Sequence, residues 1–507
     1  MEELPTEINI ITLNCWGLKY LSKLRHERLI EIGRQLASAQ PVPHVVALQE
    51  CWTQEDYQAI RRQTRLILPY GKFYFSGAFG GGLAILSRWP IEESTMFRYP
   101  LNGRPTAFFR GDWFVGKGVA CAKIRFGPGP KHVIEVFNTH THAPYEKEPN
   151  DSYVVHRTAQ AWEMAKLIRG AAERGHLVLA AGDFNMKPLS LAHRLVTTHA
   201  PVRDVWRVLH PDSSVGAAED RPEQARRRPI PTADFNVREN GVTSDSVYNT
   251  WRWTKKQQRL LGPGRPPCTV PPDSIDRRGK RLDYVFAGTG DVAALGGGWV
   301  VADARVGMTD RHPTLQCSLS DHFSVEATLV FHQMHQRRPR RGTVGGGRGA
   351  EDEEDAAVRD GTYLVSPTAS TFRGSRTFDE QLAAAQSRED DFLPGSTYDE
   401  ILAMIHKYVA REKKQRKWRG LHFFAWVGIT IACYVGVWFS PRNFVAFILM
   451  VLCSLGLTAG TVDGLISLLF VNSELRALKE FEWEIINAKA TASGSPPLAQ
   501  DEDEKGW

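Results

Sequence analysis

The sequence predicts a layered α/β domain followed by two apolar helices that are long enough to cross a membrane. From Glu7 to about Phe331, short runs rich in β-branched and aromatic residues alternate with stretches whose apolar residues recur at helical spacing. Near the C-terminus, two apolar stretches, 421–439 and 444–471, are separated by Ser-Pro-Arg-Asn alone. A chain of 507 residues exceeds the roughly 250 to 300 that one core usually holds, so more than one region is expected.

Strands are predicted wherever a short apolar run is bounded by glycine, proline or polar residues. Helices are predicted over His26–Ala39 and Ser152–Gly175, where apolar residues follow a helical period. The predicted strands are INIITLNCW, VVALQE, KFYFSG, GLAILS, GVACAKIRF, HVIEVFNTH, LVLAAGDFN, RLDYVFAG and FSVEATLVF.

Polar residues that are suited to catalysis stand at the ends of these runs. Because strand ends lead into the loops where α/β proteins place their functional groups, we expect these residues to form one site at the polar ends of the strands. The residues are Asn14, Glu50, His140, His142, Asp183, Asn185, Asp321 and His322.

Metal-dependent phosphodiester chemistry needs hard oxygen ligands, a base and donors to the phosphoryl oxygens. Glu50 is the best metal-ligand candidate, because a carboxylate ending a buried strand is costly unless it is metal-bound or, as the alternative, paired with an arginine. Asp183 and Asn185 are two residues apart and share a face if the strand continues. Asp183 would then orient or deprotonate water and Asn185 would bind a phosphoryl oxygen, although G-D-x-N is also an ordinary turn.

A base is predicted in the segment SDHF. Asp321 and His322 are adjacent, and Asp283 in RLDY lies about forty residues earlier. A carboxylate that holds an imidazole fixes its tautomer and raises its basicity. We expect Asp283 to hold His322 and Asp321 to face the metal, whereas an Asp-His pair taken alone would mostly be two solvent-exposed polar side chains.

Taken together, the motifs NCWG, LQE, NTHTHA, GDFN, RLDYVF and SDH resemble the endonuclease/exonuclease/phosphatase superfamily over roughly residues 7–331. Longer segments, NCWGLKYLSKLRHERL, QECW and HTHAPYEKEPNDSYVVHRTAQA, with the closing apolar pair, resemble neutral sphingomyelinases and most closely the fungal inositol phosphosphingolipid phospholipases C. The resemblance implies a four-layer α/β sandwich followed by a transmembrane hairpin. It also implies Mg²⁺-dependent cleavage of sphingophospholipids to ceramide and a phosphorylated headgroup, with Mn²⁺ as an alternative ion.

The same resemblance implies roles for individual residues. Glu50 binds Mg²⁺, Asn14 lies beside the metal and the phosphate, and His142 donates to the phosphate. Asp183 and Asn185 position water and a phosphoryl oxygen. His322 is the general base, with Asp321 alongside it.

A further segment, RGDWFVGKGVA, matches a family feature in which an Asp and a Lys stand five residues apart, here Asp112 and Lys117. We expect the two at the mouth of the site. The alternative is a glycine turn leading into the next strand. A nucleotide-binding P-loop is excluded because Gly118 follows the lysine where Ser or Thr is required.

Composition divides the remaining chain. A catalytic domain is expected over 1–333 with an insertion at about 211–280, followed by a disordered linker at 334–396 that carries the runs RRPRR and EDEED. An amphipathic basic helix at 397–420 precedes two transmembrane helices within 421–471, and a tail follows at 472–507.

The basic run REKKQRKWR at 411–419 is either a solvated helix end or a collar that attracts anionic phospholipids at roughly 1 kcal/mol per residue. By the positive-inside rule, the catalytic domain and the C-terminal tail both face the cytosol. The endoplasmic reticulum is the expected compartment, and mitochondria are the alternative. Since all catalytic candidates precede residue 331, we expect the hairpin to act as a tether to the lipid substrate.

Charge and cysteine usage restrict the expected partners, compartment and metal sites. The net charge of +6 is small for this length, so no nucleic-acid partner is expected. Seven cysteines form no C-x-x-C pair, and the N-terminus lacks a signal-peptide pattern, so a reduced cytosolic domain without zinc is expected. The sequence indicates no oligomeric state.

Three other functions are alternatives. A nuclease of the superfamily should have a basic face and no anchor, and a phosphoinositide phosphatase should replace RLDYVF with a Cys-Asp-Arg type motif. A non-catalytic membrane scaffold would tolerate loss of Glu50, Asp183 or His322, yet all three are present.

Overall fold

The computed structural model describes residues 4–146, 150–333 and 393–494. The chain divides into two compact units. We call one the sheet unit, whose described residues are 4–99, 114–145 and 160–333, and the other the helical unit, whose described residues are 100–113, 146, 150–159 and 393–494.

The sheet unit contains two six-stranded sheets. The first has the order β11-β12-β1-β2-β4-β3, and the second has the order β5-β6-β7-β8-β10-β9. Within each sheet one neighbouring pair is parallel, β1 with β2 and β7 with β8. The strands are β1 Glu7–Asn14, β2 Val45–Gln49, β3 Tyr70–Tyr74, β4 Leu83–Ser87, β5 Ile91–Arg98, β6 Gly118–Arg125, β7 Val133–His140, β8 Leu177–Asp183, β9 Arg203–Asp204, β10 Asp283–Gly288, β11 Gly297–Gly307 and β12 Ser324–Gln333.

The two sheets pack face to face, and helices cover their outer faces. In β2, Val45 and Ala47 join the core between the sheets, whereas Val46 and Leu48 join a second core with helices Arg25–Ser38 and Gln54–Thr64. Because both of its faces are covered, β2 is apolar along its length apart from Gln49.

The second sheet follows the same rule. Val285 and Ala287 of β10 point into the core between the sheets, whereas the ring of Phe286 meets His193 of helix Leu191–His199 at 5.6 Å. The predicted four-layer α/β sandwich is therefore confirmed.

All nine predicted strands are present, and three further strands were missed. The longer two are β5, which lies at a sheet edge and is mostly polar and exposed, and β11, which carries glycines at both ends. Neither shows the buried apolar run that predicts a strand. The third, β9, has only two residues.

The remaining helices follow the predicted pattern where the pattern is long. The predicted helix Ser152–Gly175 is observed over Val154–Glu173. Short helices are Phe108–Arg110, Asp112–Val115, Val205–Leu209, Arg221–Ala225, Ala233–Arg238, Thr250–Arg252, Lys255–Gln258 and Val292–Leu295.

In the helical unit, one continuous helix, Gly395–Phe439, contains both the predicted basic juxtamembrane helix and the first predicted span. A second helix, Asn443–Leu465, continues through a π-turn at Ile466–Phe470 into helix Val471–Ala492. Both are long and apolar enough to cross a membrane by length and composition. The predicted linker falls almost wholly on 334–392, outside the described residues, and its last two positions, 395 and 396, begin the first helix.

Candidate active site

Strand direction brings the polar strand ends to one edge of the sandwich. Asn14 is the last residue of β1 and Glu50 directly follows its parallel neighbour β2, so both lie at the same end of the first sheet. His140 and Asp183 end the parallel pair β7 and β8 and are register partners. β10 runs antiparallel to β8, so Asp283 at its start pairs with Asp183.

Asn14 connects the two carboxylates. Its Nδ2 donates to Glu50 Oε1 at 3.1 Å and to Asp183 Oδ2 at 3.0 Å. Asn14 and Asp183 are almost fully buried. One amide thus joins residues from different sheets, which fixes the spacing of the two carboxylates.

Asp283 holds the imidazole of His322 through a hydrogen bond. Its Nδ1 lies 2.8 Å from Asp283 Oδ2, and its Nε2 lies 3.9 Å from Asp183 Oδ2. Because an ionised carboxylate only accepts hydrogen bonds, Nδ1 donates and Nε2 is directed towards Asp183. Burial lowers the pKa of His322, but the charges of Asp283 and Asp183 outweigh burial and raise this pKa well above its usual value.

The buried carboxylates carry more negative charge than the site compensates. Burial, followed by the charge of Asp321, raises the pKa of Glu50 to about 7. Burial also raises the pKa of Asp183 to about 6, with Asp283 adding to the increase. Glu50 Oε2 is buried and makes no hydrogen bond within the described part of the chain. An orphaned carboxylate oxygen and two raised carboxyl pKa values fit a site for a divalent cation with hard oxygen ligands.

Asp183, Asp283 and His322 form a second arrangement. Their ligand atoms lie within 4.8 Å of one another, close enough to hold a metal ion. Since His322 Nδ1 is already engaged by Asp283, this group is also explained as a base with its orienting carboxylate.

The model of the endonuclease/exonuclease/phosphatase family matches residues 11–322. The chain belongs to this family. The match begins in β1 and ends at His322, so it contains both the first and the last of the strand-end residues described above.

Two of the curated relatives match far beyond this region. The inositol phosphosphingolipids phospholipase C of Schizosaccharomyces pombe is 34% identical over 96% of each chain, and that of Saccharomyces cerevisiae is 32% identical over 95% of this chain and 90% of the relative. Sphingomyelin phosphodiesterase 2 of Homo sapiens is 36% identical over 66% of this chain and 67% of its own. The predicted resemblance and the predicted class, a phosphoric diester hydrolase, are confirmed by these relatives.

Several other predicted residues lie close to the strand-end residues described above. Asn185, in a left-handed conformation with φ of 45°, donates through its backbone nitrogen to Asp183 Oδ1 at 3.0 Å and through Nδ2 to Thr141 O at 3.2 Å. Lys117 is buried and donates to the same Thr141 oxygen at 3.1 Å. The backbone nitrogen of His142 is fixed by Gln160 Oε1 at 3.0 Å. Thr141 is therefore the hub for two of the predicted phosphate ligands.

Asp112 and Asp321 are placed less directly. Asp112 is buried but belongs to a segment of the helical unit, so its predicted relation to Lys117 remains a prediction. Asp321 is half-buried, and Ser320 Oγ lies 3.5 Å from its Oδ1. The electrostatic effect of Asp321 on Glu50 is consistent with its predicted direction towards the metal.

Sequence reasoning noticed His140 but gave it no role. Its Nε2 lies 3.5 Å from Asp183 Oδ2, and burial, then Lys117, hold its pKa well below the usual value, which favours a neutral imidazole. A signal was present, because His140 and His142 alternate with threonines in NTHTHA at a strand end. Ser320 was missed as well, and no sequence signal distinguishes its hydroxyl from ordinary turn chemistry.

Proposed function

We propose that the protein is a Mg²⁺-dependent phospholipase C that hydrolyses sphingophospholipids, either inositol phosphosphingolipids or sphingomyelin, to ceramide and a phosphorylated headgroup. The observation that carries the proposal is the Asn14 amide, which joins Glu50 and Asp183 beside the His322–Asp283 pair. The names of the curated relatives support the lipid class.

In the proposed reaction, His322 in its neutral form takes a proton from water at Nε2 while the water oxygen attacks phosphorus. The bond from phosphorus to the ceramide oxygen breaks, that oxygen takes up a proton from solvent so that ceramide leaves as the alcohol, and the proton held by His322 returns to solvent. Asp283 holds the imidazole in the required tautomer, and Asp183 orients the water. When bound, Mg²⁺ held by Glu50 with Asn14 beside it would supply positive charge to the phosphoryl group.

The remaining polar residues bind the phosphate. Asn185 and His142 donate to phosphoryl oxygens, and Lys117 adds a positive charge near them. Asp321 faces the metal. In this proposal Asp112 and Lys117 control access at the mouth, as the sequence predicts.

The two apolar helices suggest membrane association. We propose a cytosolic orientation of the sheet unit at the endoplasmic reticulum or mitochondria, with anionic phospholipids bound by the basic run 411–419 and with no nucleic-acid partner. A two-chain lipid is scarcely soluble, so the enzyme has to meet it at a bilayer.

The test uses the full chain in detergent with inositol phosphosphingolipid, sphingomyelin, a phosphoinositide and duplex DNA, each with Mg²⁺, with Mn²⁺ and with excess chelator. We expect ceramide from one or both sphingolipids, only when a divalent cation is present. Release of inorganic phosphate from the phosphoinositide, or cleavage of DNA, at a higher rate than ceramide release would overturn the lipid assignment. Full ceramide release in chelator would overturn the metal assignment.

A further inference from the structure

The predicted insertion is folded against the segment that carries the base. We call residues 318–322 the base segment. Asn249 of the insertion is buried, and its Nδ2 donates to the backbone oxygen of Ser320 at 3.0 Å. Trp251 Nε1 donates to the backbone oxygen of Ser318 at 2.9 Å. Thr250 and Ser318 exchange two further hydrogen bonds, at 3.0 and 2.8 Å.

The opposite side of the base segment is fastened to β1. Ser320 Oγ donates to the backbone oxygen of Asn14 at 2.5 Å and accepts from the backbone nitrogen of His322 at 3.2 Å. Ser320 therefore lies between Asn14, which joins the carboxylates, and His322, which is the proposed base. A displacement of Ser320 would move both.

Arg28 is a further partner of the base segment. It is fully buried, and its Nη1 donates to the backbone oxygen of Leu319 at 2.5 Å. Its guanidinium carbon lies 4.8 Å from the ring of Trp16 and 5.6 Å from that of Trp251, and the two rings are 4.8 Å apart. A charged group buried this deeply is costly unless it is hydrogen-bonded, so the contacts of Arg28 with these carbonyls and rings stabilise the arrangement.

The base segment has little regular structure of its own to fix it. Its ladder contacts within the described chain are single bridges, Arg311 with Ser318 and Ser244 with His322. Productive acid–base geometry tolerates only about 0.5 Å of displacement, and buried carbonyls need donors. The donor to Ser320 comes from Asn249, 71 positions earlier in the chain, and a side chain that only filled space would not need to supply this hydrogen bond.

We propose that Asn249 is a positioning residue, which holds Ser320 and thereby sets the positions of His322 and Asn14 for the reaction. This inference rests on the proposed function for the reaction that it serves. It assigns the insertion a part in the catalytic geometry, which neither composition nor motif suggested.

The two ends of the Asn249 amide allow the positioning role to be separated from folding. Its Oδ1 accepts from the backbone nitrogen of Trp251 at 3.0 Å and caps the short helix there, a role that Ser or Asp fills equally well. Asn249→Ser and Asn249→Asp should therefore retain the cap and lose the donor to Ser320. Asn249→Asp also keeps the volume of the side chain.

Asn240 provides a matched control within the insertion. It is buried, accepts from the backbone nitrogen of Ser214 at 2.8 Å and donates to Asn236 at 2.7 Å, and neither of these bonds reaches the base segment. Asn240→Ala should lower the melting temperature by at least as much as Asn249→Ser does. It should leave kcat near that of the unaltered enzyme.

Two readouts test the proposal. On a short-chain, water-soluble sphingolipid analogue, both Asn249 variants should lower kcat about 10- to 100-fold, as losses of orienting partners do, with KM changed less than about threefold. Hydrogen exchange should accelerate at residues 318–322 in both Asn249 variants and stay unchanged there in Asn240→Ala.

The positioning role would be overturned if kcat were unchanged in both Asn249 variants. It would also be overturned if Asn240→Ala lowered kcat as much as the Asn249 variants do. If the unaltered enzyme hydrolyses a generic phosphodiester but no sphingolipid, the proposed function fails. The exchange pattern and the kcat ratio on that diester then still decide the role of Asn249.

Discussion

At the residue scale, the same pair of side chains has different consequences in different places. His322 lies 2.8 Å from Asp283, and His193 lies 3.0 Å from Asp204, both as buried histidine–carboxylate pairs. Arg281 also binds Asp204 in bidentate fashion, with each of its two Nη atoms 2.8 Å from one carboxylate oxygen, and so balances the negative charge of Asp204. Only the His322 pair stands at the strand edge beside Asp183.

This contrast gives the first prediction. His322→Ala should lower kcat by about 10² to 10⁴, the range for loss of an acid–base group, while the Mg²⁺ concentration for half-maximal activity stays the same. Asp183→Ala should cost a similar factor, and Asp283→Asn less, since it orients the base. His193→Ala, the matched control, should lower the melting temperature and spare kcat. A large rise in the Mg²⁺ requirement of His322→Ala would instead identify His322 as a metal ligand.

The second prediction concerns Glu50 and pH. Its folded-state pKa is raised to about 7, so in chelator the folded protein binds the proton more tightly than the unfolded chain and loses stability as pH rises from about 4.5 to 7. Glu50→Gln removes this loss, so its melting temperature should exceed that of the unaltered protein at pH 8 and not at pH 4. Added Mg²⁺ should reverse the order, and Glu50→Gln should need more Mg²⁺ for activity.

Glu135 is the matched control for Glu50. It is buried in β7, and although burial alone raises its pKa, bonds from Arg174 and His176 lower it below the usual value. Glu135→Gln should therefore be less stable than the unaltered protein at pH 8, with an unchanged Mg²⁺ requirement. Parallel pH behaviour in the two variants would contradict the charge argument.

At the element scale, direction and surroundings decide what a strand or helix does. β2 and β8 deliver Glu50 and Asp183 to one edge because each runs parallel to a neighbour. In the helical unit, Gly456 and Gly460 face Trp426, and a Cβ on Gly456 would lie 1.9 Å from the indole ring. Small residues allow close approach of helices in a membrane, where water supplies no driving force between them.

The third prediction follows from this packing. Gly456→Leu should force the two long helices apart and lower thermal stability in detergent, since overpacking typically costs about 1 to 3 kcal/mol. Gly428 lies on the first of these helices with open space at its Cβ position, so Gly428→Leu is the control and should leave the melting temperature unchanged. Equal effects of the two changes would mean that the two helices do not approach each other closely at Trp426 in solution.

At the scale of the whole molecule, the helical unit includes parts of the N-terminal region. His156 Nε2 lies 3.0 Å from Glu474 Oε1, Tyr408 donates to the same oxygen at 2.8 Å, and the ring of Trp113 meets Phe470 at 4.8 Å. The segment that carries Trp113 lies between β5 and β6 in the chain, and the segment that carries His156 lies between β7 and β8. The expectation that the hairpin acts as a tether stays a prediction, and its helices in addition pack these segments.

The fourth prediction tests whether the hairpin also supports the segments that carry Trp113 and His156. A chain ending at residue 333 should lose activity on vesicles, as a tether requires, and should also lose activity on a soluble analogue, because Trp113 loses its contact with Phe470 and His156 loses its contact with Glu474. Glu474→Ala in the full chain should lower stability by roughly 1 to 3 kcal/mol through unsatisfied buried groups. Exposed Glu480→Ala on the same helix should not. Full activity of the shortened chain on the soluble analogue would restore the simple tether.

The strand-end residues were predictable because each stands beside a buried apolar run, and the order of the family's motifs groups them from the sequence alone. The pairing of His322 with Asp283 was expected and is observed. The role of Asn249 was not predictable, because its partner Ser320 is distant in sequence and the contact joins an amide to a backbone oxygen, which any residue offers.

The sequence by itself therefore determined the layered fold, the two apolar helices and the residues at the strand ends. The period and length of each apolar run, and the order of the motifs, can be read directly along the chain. Tertiary structure alone decided that Asn14 bridges Glu50 and Asp183, that Thr141 anchors Asn185 and Lys117, and that the insertion holds the base segment. These contacts join distant positions through buried amides and carbonyls, and their energies depend on distances and desolvation that no local pattern encodes.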